Sequence, residues 1–255
     1  MRGKIDVTGY FGTWPYWPLR HGSPDEILRL MDRYGIERLV LGSLRAIFSD
    51  WEEGNEEVRR LARQHPDRFR VAATINPILG RDHLARLQEY QEDELIVGLR
   101  LYPIYHDYEV TDETAILPAL LSRVTDRNWP VFLPLRLMMN WGLPVLPIAQ
   151  VAEWLARFPQ LTVILGGVNY GEVKHVLPLL RTHSRAFLET SCLQLQGALE
   201  RVATEVGIDR LLFGTGMPLQ NPGCEVAKIA HAAFSEAERA QIFAENAIRL
   251  FGGRI

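Results

Sequence analysis

Eight short apolar runs, separated by stretches with helical patterning, set the tightest limit on what this chain can form. The runs are Lys4–Tyr10, Arg38–Gly42, Arg70–Ile75, Val97–Tyr102, Val131–Leu135, Thr162–Val168, Ala186–Thr190 and Arg210–Thr215. Strands that alternate with amphipathic segments give a parallel sheet, and eight of them in one unit favour closure into a barrel over an open sheet. The expected fold is α/β, a single (β/α)8 TIM-type barrel domain over 1–255. A chain of 255 residues with 47% apolar content can bury a core of that size.

The punctuation between the runs agrees. Ser23 caps a helix opened by Pro24-Asp25-Glu26 and stopped by Gly35, and Asn55–His65 forms an amphipathic helix ended by Pro66. Further helices are expected over Asp112–Arg127, Pro147–Phe158, Gly171–Leu180 and around Glu225–Phe234. Ser235-Glu236-Ala237-Glu238 reads as a capping box that starts a terminal helix through Leu250.

Charge and cysteine content exclude several classes. With 28 Lys and Arg against 31 Asp and Glu, interspersed and net −3, the chain offers no electrostatic footprint for a nucleic-acid partner. It carries no apolar span of membrane length and no signal core at its start, so a cytoplasmic protein without membrane contact is expected. Cys192 and Cys224 suit a reducing compartment and read as bland thiols.

Two loops after strands are rich in aromatics: Phe11 to His21, with Trp14, Tyr16 and Trp17, and Leu137 to Pro147, with Trp141. Barrel sites form from such loops, so these aromatics are expected over the mouth. The last strand ends Phe213-Gly214-Thr215-Gly216-Met217-Pro218. Together with Ile5-Asp6, Ala72-Ala73-Thr74-Ile75-Asn76-Pro77, Gly98-Leu99-Arg100-Leu101, Trp129-Pro130-Val131 and Glu245-Asn246-Ala247-Ile248-Arg249-Leu250-Phe251, it resembles the amidohydrolase superfamily over nearly the whole chain. The similarity is to the amidohydrolase-related branch that includes aminocarboxymuconate-semialdehyde decarboxylase. That resemblance implies a distorted barrel with one or two divalent metals at its mouth, and hydrolysis of a C–N or C–O bond or carbon–carbon lyase chemistry.

The positions that match the family's metal ligands hold other residues here. Thr8 and Tyr10 stand where the first strand would carry two imidazoles, Pro134 where the fifth ends in His, Gly167 (or Gly166 in a shifted register) in the sixth, and Gly216 at the Asp of the eighth. Of seven histidines only His21 and His106 lie in loops that reach the mouth. The expectation is no bound cofactor, with zinc required only if an unorthodox catalytic site exists.

Strand alternation places Asp6 below Thr8 and Tyr10, Arg100 below Tyr102, Arg136 above Pro134 and Asn169 beyond Gly167, with Glu189 or a neighbour from the seventh strand. Arg100 is expected to pair with Asp6 or Glu189, and Gly167 and Gly216 to leave space beside Arg136. Three functions are carried forward. The first is a metal-free protein that binds a small anionic, carboxylate-bearing ligand through Arg136, Arg100, Asn169, Thr8, Tyr102, Trp14 and Trp141. The second is an active hydrolase or decarboxylase with Glu189, Tyr10 and His106 in proton transfer. The third is an inert scaffold barrel. Assembly as a homo-oligomer stays open.

Overall fold

The computed structural model describes residues 3–109, 116–138 and 142–255. Its eight strands are β1 (Lys4–Phe11), β2 (Ile36–Ser43), β3 (Phe69–Thr74), β4 (Ile96–Arg100), β5 (Val131–Pro134), β6 (Val163–Gly166), β7 (Ala186–Glu189) and β8 (Leu211–Leu212). They pair in parallel in the order β1 to β8, so each expected strand is present within a few residues of its expected ends. The exception is β8, whose ladder to β7 stops at Leu212.

Helices follow the strands as the alternation requires. They are α1 (Pro24–Tyr34), α2 (Leu44–Phe48), α3 (Trp51–Gln64), α4 (His83–Glu92), α5 (Pro103–His106), α6 (Ile116–Asp126), α7 (Ile148–Arg157), α8 (Tyr170–Thr182), α9 (Ala198–Val206), α10 (Pro222–His231), α11 (Glu236–Ala240) and α12 (Asn246–Phe251). Ser23 and Glu26 form the expected capping box, and Gly35 ends α1 at φ 65°, a conformation that favours glycine. The terminal helix is interrupted by a π turn over Gln241–Glu245. There the Ile242 carbonyl accepts the Phe213 N–H at 3.1 Å, so the wide turn frees an acceptor for the last strand.

Two apolar layers hold the barrel. Leu39, Leu41, Val71, Leu99, Val131 and Val163 pack outward against the helices. Val7, Val40, Ala72, Phe132, Ile164 and Leu212 form the inner layer, closed below by Ala247 and Phe251 of α12. Asn55 couples α3 to β3 by donating to the Thr74 carbonyl at 2.6 Å and accepting the Thr74 N–H at 2.8 Å.

The barrel closes where the chain after β8 meets β1. Val7 N–H donates to the Phe213 carbonyl at 2.9 Å, Gly216 N–H to Thr8 at 2.8 Å and Tyr10 N–H to Met217 at 2.8 Å. Asp6 locks this seam from the side. Its Oδ1 accepts the N–H groups of Thr8 at 2.9 Å and Thr215 at 3.0 Å, and its Oδ2 accepts the Thr215 hydroxyl. The register of β1 shifts here: Asp6 lies opposite Leu39 and Gly9 opposite Leu41, three steps against two. This one-residue bulge overturns the expected alternation, because Asp6 does not share a face with Thr8 and Tyr10.

Burial pushes the Asp6 carboxyl up to about 7, against the pull of its three hydrogen bonds. A carboxyl at 3.8 when unfolded and about 7 when folded holds its proton in the native state alone between those values, so stability falls as pH rises through that window. Urea midpoints should therefore drop between pH 4 and pH 7, and Asp6→Asn should reduce that slope, leaving the share of Glu225, which burial also raises; an Asp6→Asn protein with the unchanged slope would remove Asp6 as a source.

Candidate functional site

Above the inner apolar layer, β4 and β7 deliver Arg100 and Glu189 to the barrel centre, each 1% exposed. Glu189 sits in a cradle of donors. Its Oε1 accepts the Gly167 N–H at 2.9 Å and the Ser191 hydroxyl at 2.8 Å, and its Oε2 accepts the Ser191 N–H at 2.8 Å. Glycine makes the cradle possible: a Cβ at Gly214 would stand 2.1 Å from Oε2, and one at Gly166 2.9 Å from Oε1. These glycines leave room for a carboxylate and are not simply vacated positions.

The expected ion pair between Arg100 and Asp6 or Glu189 is not formed. Arg100 instead donates to the Val7 carbonyl at 3.2 Å and lies between the rings of Tyr10 and Phe132, 5.2 and 5.0 Å from their centroids. Both carboxylates are already occupied by N–H and O–H donors, while ring faces and carbonyls satisfy a weakly hydrated guanidinium.

Arg136 and Asn169 serve the start of α8. Asn169 caps it by accepting the Tyr170 N–H at 2.7 Å, and Glu172 accepts the Asn169 N–H at 2.9 Å and pairs with Arg136 at 2.6 Å. The space expected beside Arg136 is filled. A Cβ at Gly167 would meet the Arg136 backbone at 2.2 Å, and one at Gly216 the Gln220 amide at 2.4 Å, with both glycines at positive φ.

Aromatic and aliphatic side chains cover the mouth. Tyr10, Trp14 and Tyr102 pack with Leu44, Leu137 and Leu143 in one buried cluster. Thr8 lies beneath, 6% exposed and against Gly214. The rings form a chain from the centre outward, Tyr102 to Tyr105 at 6.4 Å, Tyr105 to Phe48 at 5.6 Å and Phe48 to Trp14 at 5.5 Å. Trp141 falls outside the described residues, and His21 is exposed in its loop.

This cluster contains polar atoms without a hydrogen bond of normal geometry: Trp14 Nε1, Tyr102 Oη and His106 Nδ1. His106 turns Nε2 to the Ala46 carbonyl at 3.1 Å, and burial holds its pKa below the usual value. A neutral ring that donates through Nε2 leaves Nδ1 as a bare acceptor. Each such buried atom costs about 1–3 kcal/mol until something pairs with it.

Sequence reasoning missed the polar groups behind Glu189. Cys192 was noticed only as a thiol; it lies beside Gln220, 3.6 Å from Nε2, and burial pushes it up to about 12, the inert state. Glu225 of α10 is pushed up to about 8 by burial and pairs with Lys228 at 2.5 Å. No motif marked Gln220, whose neighbour Cys192 lies 28 positions away, or Ser191 and Glu225, whose contacts with Glu189 and Lys228 are local but follow no motif.

The resemblance to a metal-dependent family asks which of these residues could hold a divalent ion. Among the described residues no three His, Cys, Asp or Glu side chains are grouped to hold one. Both oxygens of Asp6 and of Glu189 face hydrogen-bond donors, which leaves Thr8, Tyr10, Pro134, Gly167 and Gly216 to supply ligands they lack. Glu189→Gln must set its NH2 against an N–H or O–H donor in either orientation, so a loss of about 1–3 kcal/mol in urea unfolding is expected; an unchanged midpoint would show that the cradle tolerates the amide.

Comparison with known proteins places this architecture. Among curated proteins no sequence matches. The 2,6-dihydroxybenzoate decarboxylase from Rhizobium superposes with TM-score 0.76 at 20% identity, covering 98% of this chain and 99% of that one. A dihydroxybenzoic acid decarboxylase from Polaromonas, solved with bound manganese and the inhibitor 2-nitroresorcinol, gives 0.75 at 20% identity over 98% and 97%. The 5-carboxyvanillate decarboxylase from Sphingomonas paucimobilis gives 0.77 at 15% over 98% and 99%. At these identities the likeness is one of fold. The amidohydrolase family model matches residues 20–253, and the chain belongs to the amidohydrolase family.

Proposed function

We propose that this chain binds a small aromatic carboxylate at the barrel mouth without the family's metal centre. The observation that carries this reading is the set of buried atoms without normal hydrogen bonds, Trp14 Nε1, Tyr102 Oη and His106 Nδ1, within one cluster of aromatic side chains. A planar ligand with hydroxyl and carboxylate oxygens offers acceptors to the indole N–H, a partner to the phenol and a proton to the imidazole. Arg100, which donates to a carbonyl and not to a carboxylate, brings a positive charge beneath the mouth and favours an anion over a neutral phenol. The solved relatives named above act on, or are inhibited by, compounds of this shape.

In this reading Arg136, held by Glu172, and Asn169 at the start of α8 border the ligand, and Thr8 forms its floor above Glu189. Glu189, Tyr10 and His106 then stabilise the site; they do not carry turnover. A second reading has its own support in the packing: Tyr10 and Tyr102 are each 1% exposed and Trp14 3%, the density of a closed scaffold.

The test uses the full chain, stripped with chelator and compared with and without added manganese, with 2,6-dihydroxybenzoate as probe in calorimetry. Saturable binding that manganese leaves unchanged, and that Tyr102→Phe weakens about tenfold (about 1.4 kcal/mol), is the expected result. Failure to bind would favour the scaffold. Binding that requires manganese and is followed by release of carbon dioxide would overturn the metal-free reading in favour of a decarboxylase.

A further inference from the structure

A cavity of about 350 Å3 lies to the side of the barrel centre, between the loop from β1 to α1 and the face of α3. Phe11, Trp14, Pro18 and Leu19 form its apolar walls, and Glu26 and Glu57 are its only charged lining groups. Among the described residues no Lys, Arg or His lines it. Glu26 is committed to the cap of α1, where its carboxylate accepts the Ser23 N–H at 3.1 Å and hydroxyl at 2.7 Å. Glu57 is different: its Oε2 is buried and has no hydrogen-bond partner. The nearby Arg45 is engaged by Glu53, so it does not neutralise Glu57.

A buried carboxylate oxygen without a partner is costly, and a cation is the group that relieves it. The walls decide which cation. A divalent metal ion seeks six or more oxygens, whereas this lining offers aromatic, proline and leucine surface around one available carboxylate. Gly12, at φ 114°, a conformation that favours glycine, brings the backbone against Glu57 Oε2. Aromatic faces beside a carboxylate recognise alkylated ammonium groups through ring attraction combined with charge pairing.

We propose that this cavity is a binding site for a small organic ammonium ion, with Glu57 as its counter-charge and Trp14 and Phe11 as its aromatic walls. The site lies outside the barrel axis and does not rest on the aromatic-carboxylate reading.

The experiment titrates butylammonium and tetramethylammonium into the full chain, followed by tryptophan fluorescence and calorimetry, with butyrate and calcium chloride as comparison arms. Saturable one-to-one binding of an ammonium probe is expected, absent for butyrate and calcium. Glu57→Gln, which also removes the unpaired charge, should weaken it at least tenfold without lowering the melting temperature, and Glu57→Asp, which keeps the charge, should retain part of it. Equal affinity in wild type and Glu57→Gln, no saturable ammonium binding, or saturation by calcium or butyrate instead would overturn the proposal.

Discussion

The structure depends on the hydrogen bonds that Asp6 makes to the last strand. A barrel of eight strands has one seam between its first and last, and here β8 is too short to hold that seam by a regular ladder. Asp6 supplies the missing bonds, reaching Thr215 some two hundred positions away through both its N–H and its hydroxyl. The bulge in β1 is what turns Asp6 toward this task, and the π turn of the terminal helix adds a further acceptor at Phe213. Closure thus rests on a side chain in low dielectric, where a satisfied network is strong and a partly satisfied one is costly.

The barrel centre follows the same logic. Glu189 is fixed by the Gly167 N–H and by Ser191, and Gly166 and Gly214 clear the space it fills. With both carboxylates saturated by neutral donors, Arg100 is left to carbonyls, ring faces and the Tyr102 hydroxyl. The acidic and basic groups at the centre are turned toward the protein's own donors and acceptors.

What remains unsatisfied lies higher, in the aromatic cover and beside it. Trp14 Nε1, Tyr102 Oη and His106 Nδ1, and the Glu57 Oε2 oxygen, are buried without a hydrogen bond of normal geometry, at two places where polar groups stand in apolar surroundings. Arg100 brings a positive charge to the barrel centre, and the side cavity is negative through Glu57 and Glu26. Opposite fields at neighbouring sites select ligands of opposite charge.

Much of the fold was legible because parallel strands buried on both faces leave continuous apolar runs, and helix ends leave local marks such as Ser23 with Glu26 and Gly35. Tyr10, Trp14 and Tyr102 were also readable as mouth residues, since their positions follow from strand ends. The partners were not. Whether Asp6 faces the axis was decided by a bulge that no residue type announces, and whether Gly167 and Gly216 leave space was decided by Arg136 and Gln220 folding over them. The sequence by itself determined which elements form and which residues they carry to the mouth, because those depend on neighbours in the chain. Only the tertiary structure decided which carboxylates are already paired and which polar atoms are left without partners, because the deciding hydrogen bonds, Thr215 to Asp6 and Gly167 to Glu189, join groups far apart in sequence.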